Sequence, residues 1–190
     1  MGKLKSGFGV KVLLLMLAVL LLTIGIFYYR ERILQHLFPL DYRSQVESIA
    51  DEYELDRWLV FAIIRVESSF KARAESSAGA RGLMQLMPDT AQWIVESAAF
   101  EMTEAETWLP QNNIRLGCWY INWLRDYYNG DMVAGVAAYN AGIGNVNAWL
   151  EEGLWDGRRK TLAAIPFAET RRFVKNVYDS YDMYRRLYGE

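Results

Sequence analysis

The chain has 190 residues, 52% of them hydrophobic and 23% charged, and a net charge of -2 at neutral pH. That size and balance suit one globular domain plus an appendage, and the charge offers no broad basic surface, so nucleic acid is not expected as a partner. The one cysteine, Cys118, and the one histidine, His36, lie far apart, which excludes an intrachain disulfide and leaves no His/Cys set for zinc, so metal chemistry through those residues is not expected.

The first element is an uncharged run from Val12 to Tyr29, bounded by Lys11 and Arg30. As a helix it is just long enough for the bilayer core, which needs about 17–25 apolar residues. Lys3, Lys5 and Lys11 precede it, so the positive-inside rule keeps residues 1–11 in the cytoplasm and exports the chain beyond Arg30. The run exceeds a usual signal-peptide core and ends in Phe27-Tyr28-Tyr29 rather than small residues, which favours an uncleaved single-pass anchor over a leader. The Met1-Gly2 start also matches a myristoylation pattern, which adds little to a chain that already carries a transmembrane helix.

Residues 30–40 read as a short charged and apolar bridge, and a globular domain fills 41–190. Val46, Ile49, Ala50 and Tyr53 recur at helical spacing, with Ser44 and Glu47 placed for a capping box. Asp56 is a candidate cap for a helix running to about Ser68, and the Ala, Ser and Gly of Lys71 to Arg81 predict a loop. Pro88 suits the first turn of the next helix, followed by a solvated connection with Glu101, Glu104 and Glu106. Pro110 begins a longer helix stopped at Asn129-Gly130, in which Cys118 reads as a small buried hydrophobe. Asp131 caps a short apolar helix to Asn140, Gly142 and Gly144 turn the chain, and a further short helix holds Val146, Trp149 and Leu150. After a connection containing Arg158-Arg159-Lys160, Pro166 opens a last helix with a stripe of Phe167, Thr170, Val174, Val177, Tyr181, Tyr184 and Tyr188. No useful period-2 strand and no long internal repeat occurs, so the expected fold is all-α.

One residue resists this scheme. Glu67 ends the apolar segment Trp58 to Val66 and lies at helical spacing from Val60, Ile63 and Ile64. An ionised carboxylate on such a face costs several kcal/mol unless it is paired or stays protonated. A partner is available in sequence, in Arg65 or Arg81, so a structural acid and a general acid are both open at this point. Asp89 in a helix's first turn and Glu75 in a polar loop are explained without catalysis.

Three motifs decide between them. Glu67-Ser68 is followed, after a small-residue loop, by Gly82-Leu83-Met84-Gln85-Leu86-Met87-Pro88; then comes Ala138-Tyr139-Asn140-Ala141-Gly142-Ile143-Gly144; then Ile165-Pro166-Phe167-Ala168-Glu169-Thr170-Arg171. In this order and spacing they resemble the catalytic domain of the soluble lytic transglycosylases, relatives of goose-type lysozyme, from Asp41 to the C-terminus. The resemblance implies a lysozyme-like α fold with a groove for peptidoglycan glycan strands, in a bacterial envelope, and implies no metal or cofactor. It implies Glu67 as the single catalytic acid and base, and Ser76, Gln85, Met87, Tyr139, Asn140 and Glu169 as substrate-binding residues. The implied reaction cleaves the bond between N-acetylmuramic acid and N-acetylglucosamine to give a 1,6-anhydro sugar, with lysozyme-type hydrolysis or non-catalytic wall binding as alternatives. Lys71-Ala72 stands where Asn-Pro is frequent in that family, and Phe173 where tyrosine is. With so short a bridge, the groove is expected to work near the membrane or inside an envelope-spanning machine.

Overall fold

The computed structural model describes residues 5–189. It forms two units, Met1–Pro39 and Leu40–Glu190. The basic residue expected at position 3 lies outside the described residues.

The first unit is one helix, α1 (Lys5–Leu37), whose segment Phe8–Leu37 is long and apolar enough to cross a membrane. Residues 30–40, read as a bridge, are helical as far as Leu37. The reason is local: Arg30-Glu31-Arg32-Ile33-Leu34-Gln35 contains neither Gly nor Pro, and the chain breaks only before Pro39.

The second unit is all-helical among the described residues, with α2 (Arg43–Glu52), α3 (Arg57–Ser68), α4 (Pro88–Ser97), α5 (Pro110–Tyr127), α6 (Met132–Ala141), α7 (Ile143–Glu151) and α8 (Ala168–Tyr188). Its centre is α3. Six successive residues, Leu59 to Ile64, are buried, so this helix is apolar all round and enclosed by its neighbours. It packs along α8 and against α2, while α5 and α6 pack on each other and α6 joins them to α8. Phe61 of α3 meets the fully buried Tyr184 of α8 at 5.5 Å and Phe70 at 6.1 Å. At about 1.5–3 kcal/mol for each buried aliphatic or aromatic side chain, α3 is the largest single contributor to the core. A second cluster of Leu86, Ala91, Ile94, Val95 and Leu116 joins α4 to α5.

Several helix boundaries follow the chemistry of their first residues. The Asp56 side chain accepts from Trp58 N at the start of α3, Asp131 accepts from Val133 N and Ala134 N at the start of α6, and Pro88 and Pro110 occupy first turns. Others differ from expectation. The α2 helix starts after Tyr42, in the left-handed region at φ 59, with no side-chain cap; Ser44 Oγ bonds Gln45 Oε1, and Glu47 pairs with Arg43 at 3.0 Å. The solvated stretch near Glu106 holds a short 3-10 turn, Glu104–Trp108, with a Thr103/Glu106 capping box, which holds the Glu106 carboxyl below its ordinary range. Gly144 lies inside α7 and only Gly142, at φ 81, makes the turn. The last helix begins at Ala168 rather than at Pro166, and of its expected stripe Phe167 is exposed and Tyr181 turns its hydroxyl to Asp56 at 2.7 Å. Cys118 is buried, and burial pushes its thiol up.

Candidate active site

Glu67 sits in the last turn of α3, one helical turn beyond the buried Ile63 and Ile64. It is half-buried, and burial, reinforced by the charge of Glu169, pushes its carboxyl from the ordinary 4.5 up to about 8. The helix end adds to this, because the carbonyls there present partial negative charge. Neither arginine that was available in sequence neutralises it: Arg65 Nη1 reaches Ser180 Oγ at 3.2 Å, and Arg81 pairs with Glu75 at 3.1 Å and lies over the Trp108 ring. Among the described residues nothing donates a hydrogen bond to the carboxyl. The group is therefore neutral at neutral pH and able to give up a proton.

Directly after this acid the backbone leaves the helix through two left-handed residues, Ser69 at φ 50 and Phe70 at φ 62, neither of them glycine. Such positions cost on the order of 1–3 kcal/mol each and persist only where surrounding structure enforces them. Here the enforcement is visible, since Phe70 is buried against Phe61. The turn swings the chain into the loop of residues 71–87, which is closed on itself by Ser76 N to Ala80 O, Arg81 N to Leu86 O and Leu86 N to Arg81 O.

Met84 fixes that loop to the helices. Its N–H donates to Asn113 Oδ1 at 2.8 Å, and its carbonyl accepts the Tyr139 hydroxyl at 2.7 Å. Its side chain lies on Gly117 so closely that a Cβ there would run into the sulfur, which suits a glycine in the middle of α5. Gly82, at φ 82, faces Asn113 in the same way, with a Cβ placed 2.6 Å from the amide. Asn113 is fully buried and also donates to Arg81 O, so one side chain of α5 holds two backbone groups of the loop.

Glu67 lies within electrostatic reach of both Tyr139 and Glu169. Tyr139 feels the charge of Glu67, and burial first of all holds its hydroxyl well above the ordinary range; it remains a donor, directed at Met84 rather than at Glu67. Glu169 is exposed in the first turn of α8, where the macrodipole favours an acid. Arg171 of the same motif closes the preceding turn by donating to Ala163 O and Ile165 O. Phe173, only 6% exposed, lies parallel to the Tyr139 ring at 6.5 Å.

The other expected site residues have mixed duties. Gln85, at φ 46, donates its Nε2 to Ala74 O and Gly82 O, so its nitrogen is committed to the loop and its Oε1 is the end left for a ligand. Ser76 Oγ accepts from Ala80 N inside the loop. Met87, 42% exposed, precedes α4, and Asn140 is half-buried near the end of α6. Sequence reasoning passed over Asn113. Its one signal was polarity ahead of an apolar helical stretch, and the first turn of a helix explains such an asparagine equally well.

Comparison with known proteins gives the family. The family model described as Transglycosylase SLT domain matches residues 44–162. Soluble lytic murein transglycosylase of Escherichia coli strain K12 is 36% identical over 164 residues, covering 83% of this chain and 25% of that protein. Membrane-bound lytic murein transglycosylase C of Cronobacter sakazakii is 30% identical over 167 residues, covering 76% of this chain and 46% of that one. The solved 70 kDa soluble lytic transglycosylase of Escherichia coli matches with a TM-score of 0.76 and 31% identity, over 83% of this chain and 26% of that chain. The chain thus spans about a quarter of the length of the soluble relatives. By fold, by motif order and by family match, the chain belongs to the transglycosylase SLT domain family.

Proposed function

We propose that the chain is a peptidoglycan lytic transglycosylase held in a bacterial membrane by α1. The observation that carries this reading is the Glu67 carboxyl, pushed by burial up to about 8 and free of ion pairs among the described residues. The substrate is the β-1,4 bond between N-acetylmuramic acid and N-acetylglucosamine. Glu67 gives its proton to the glycosidic oxygen, the bond from that oxygen to muramic C1 breaks, and the N-acetylglucosamine side leaves as an alcohol. The Glu67 carboxylate then takes the proton of the muramic C6 hydroxyl as O6 bonds to C1. Acid and base alternate on one residue, no water enters, and the product is a 1,6-anhydro sugar. Tyr139 acts by holding the Met84 loop against the site, Gln85 Oε1 and Asn140 take sugar hydroxyls and amides, and Ser76, Met87 and Glu169 contact the strand.

The decisive experiment treats peptidoglycan with the full chain in detergent and weighs the released muropeptides. Anhydro products, lighter by one water than hydrated ends, are expected, and they should disappear with Glu67→Gln. Equal clearing by both proteins would defeat the catalytic role of Glu67, and binding of the wall with clearing by neither would leave a wall-binding protein. A second reading has one observation in its favour, since Glu169 places another carboxylate within electrostatic reach of Glu67, as a hydrolase requires. Hydrated reducing ends alone would select it.

For the anchor, α1 crosses the membrane once with its N-terminus in the cytoplasm, so the domain acts outside the cell membrane on membrane-proximal glycan or within an envelope-spanning machine. A long flexible insert after Pro39 should lower cellular function; undiminished function would remove the requirement for proximity.

A further inference from the structure

The globular unit carries another concavity, at the opposite end of α3 from Glu67. It is a depression of about 420 Å³ lined by Leu40, Arg43, Glu47, Arg57, Trp58 and Tyr188, where the starts of α2 and α3 meet the end of α8. Glu47 is shared between two cations: Arg43 Nε reaches its Oε1 at 3.0 Å, and Arg57 Nη1 reaches the same oxygen at 3.5 Å. Two guanidiniums against one carboxylate give the lining a net positive charge. Arg57 Nη2 also meets Asp51 at 3.6 Å, but that carboxylate is exposed and outside the lining. The Arg43 and Arg57 side chains are 60% and 42% exposed, and surface pairs of this kind contribute at most about 1 kcal/mol, so they yield readily to a better anion. Trp58 stacks on Tyr188 at 6.0 Å, which sets an aromatic pair beside the cations.

Chain connectivity limits what this depression can meet. Leu40 follows Leu37, the last residue of α1, by three positions, so its edge lies within about 11 Å of that helix end. The uncharged run of α1 ends at Tyr29, and the helix from Arg30 to Leu37 rises about 12 Å further, more than the roughly 5–7 Å of one headgroup layer. The globular unit therefore begins at the outer surface of the headgroups. Arginine beside tryptophan and tyrosine suits that zone, and paired guanidiniums match the oxygens of a phosphate.

We propose that this depression seats the phosphodiester of a membrane phospholipid and so fixes the start of α3 at the headgroup surface. It rests on the reading of α1 as a membrane anchor and is independent of the chemistry at Glu67. Its consequence is a set reach: Glu67 follows Trp58 by nine residues, so the acid is held within about 14 Å of that surface along α3. The test uses the full chain in dodecyl maltoside and a phosphate-free buffer. Native mass spectrometry counts the lipids retained when phosphatidylglycerol is added, or a diglucosyl diacylglycerol with the same acyl chains and no phosphate. One phosphatidylglycerol per chain is expected, with the glycolipid held at least tenfold more weakly. Arg43→Gln and Arg57→Gln should each weaken retention roughly tenfold, about one charge-assisted phosphate contact, with the helical circular dichroism unchanged. Arg43→Lys should restore part of the loss, and the exposed Arg43 carries the test if Arg57→Gln unsettles the fold. Retention that survives the glutamine substitutions, or that is equal for the glycolipid, would overturn the seat, and displacement of the lipid by millimolar inorganic phosphate would replace it with a free-anion site. The two readings fail separately. A chain washed from vesicles by alkaline carbonate, yet binding phosphatidylglycerol through Arg43, loses the anchor and keeps the seat; one that resists carbonate and holds lipid without regard to Arg43 does the reverse.

Discussion

Two carboxylates stand at opposite ends of α3, and the fold treats them in opposite ways. Asp56, at the start, is exposed to water and receives Trp58 N and the Tyr181 hydroxyl, while the positive end of the helix favours its charge. Glu67, in the last turn, receives no donor among the described residues, faces the negative end, and has a second acid in range. One side chain is stabilised as an anion and ties α3 to α8. The other is kept as an acid. An acidic residue that serves the fold is supplied with donors, and one left without them in an apolar setting is a candidate for chemistry.

Substitutions should separate these roles. The largest effect is Glu67→Gln, which should cut the rate of anhydro-muropeptide release by about 10²–10⁴, the usual range for a lost general acid, with the helical circular dichroism intact. The wild-type rate should itself fall as pH passes about 8 and the proton is lost. Next comes stability against pH. The folded chain holds on Glu67 a proton that the unfolded chain, at an ordinary 4.5, gives up. The associated stabilisation is complete below about 4.5 and is lost as pH rises to about 8, on the order of a few kcal/mol. Denaturant melts at several pH values should therefore show Glu67→Gln gaining on wild type as pH climbs through that window.

Asn113→Ala should rank third, leaving Met84 N–H and Arg81 C=O without their partner, at about 1–3 kcal/mol for each buried orphan. Its mark is a lower denaturation midpoint together with a lower rate per folded molecule, because the loop is no longer pinned. Asp56→Ala should cost about 1 kcal/mol of stability and leave the rate per folded molecule unchanged. A rate loss there would erase the contrast between the two ends of α3. The smallest effect is Glu169→Gln: removing its charge lowers the Glu67 pKa, so the alkaline limb of the rate profile should move to lower pH.

What could be read ahead of the structure depends on the range of the interactions concerned. Caps and first-turn prolines act within a few residues, so Asp56, Asp131, Pro88 and Pro110 marked their helices correctly. Local pattern has its limits as well: α1 runs on to Leu37 beyond the end of its apolar run, and Ser44 with Glu47 has the spacing of a capping box without forming one. In the site, Glu67 stood out through its apolar neighbours. The hydroxyl of Tyr139 meeting Met84, and Asn113 holding the loop, join residues that no local pattern connects. Left-handed Ser69, Phe70 and Gln85 were equally hidden, because only tertiary packing forces such residues into a region that glycine usually fills.

The burial of six successive α3 residues also bears on how the protein loses activity. Amides in a helix enclosed on every side exchange with solvent only through global unfolding, so α3 belongs to the slowest-exchanging unit of the domain. The acid rides on its last turn. Heating should then abolish cleavage in the same transition that melts the whole fold, with no earlier phase in which a loosened site sits on an intact scaffold.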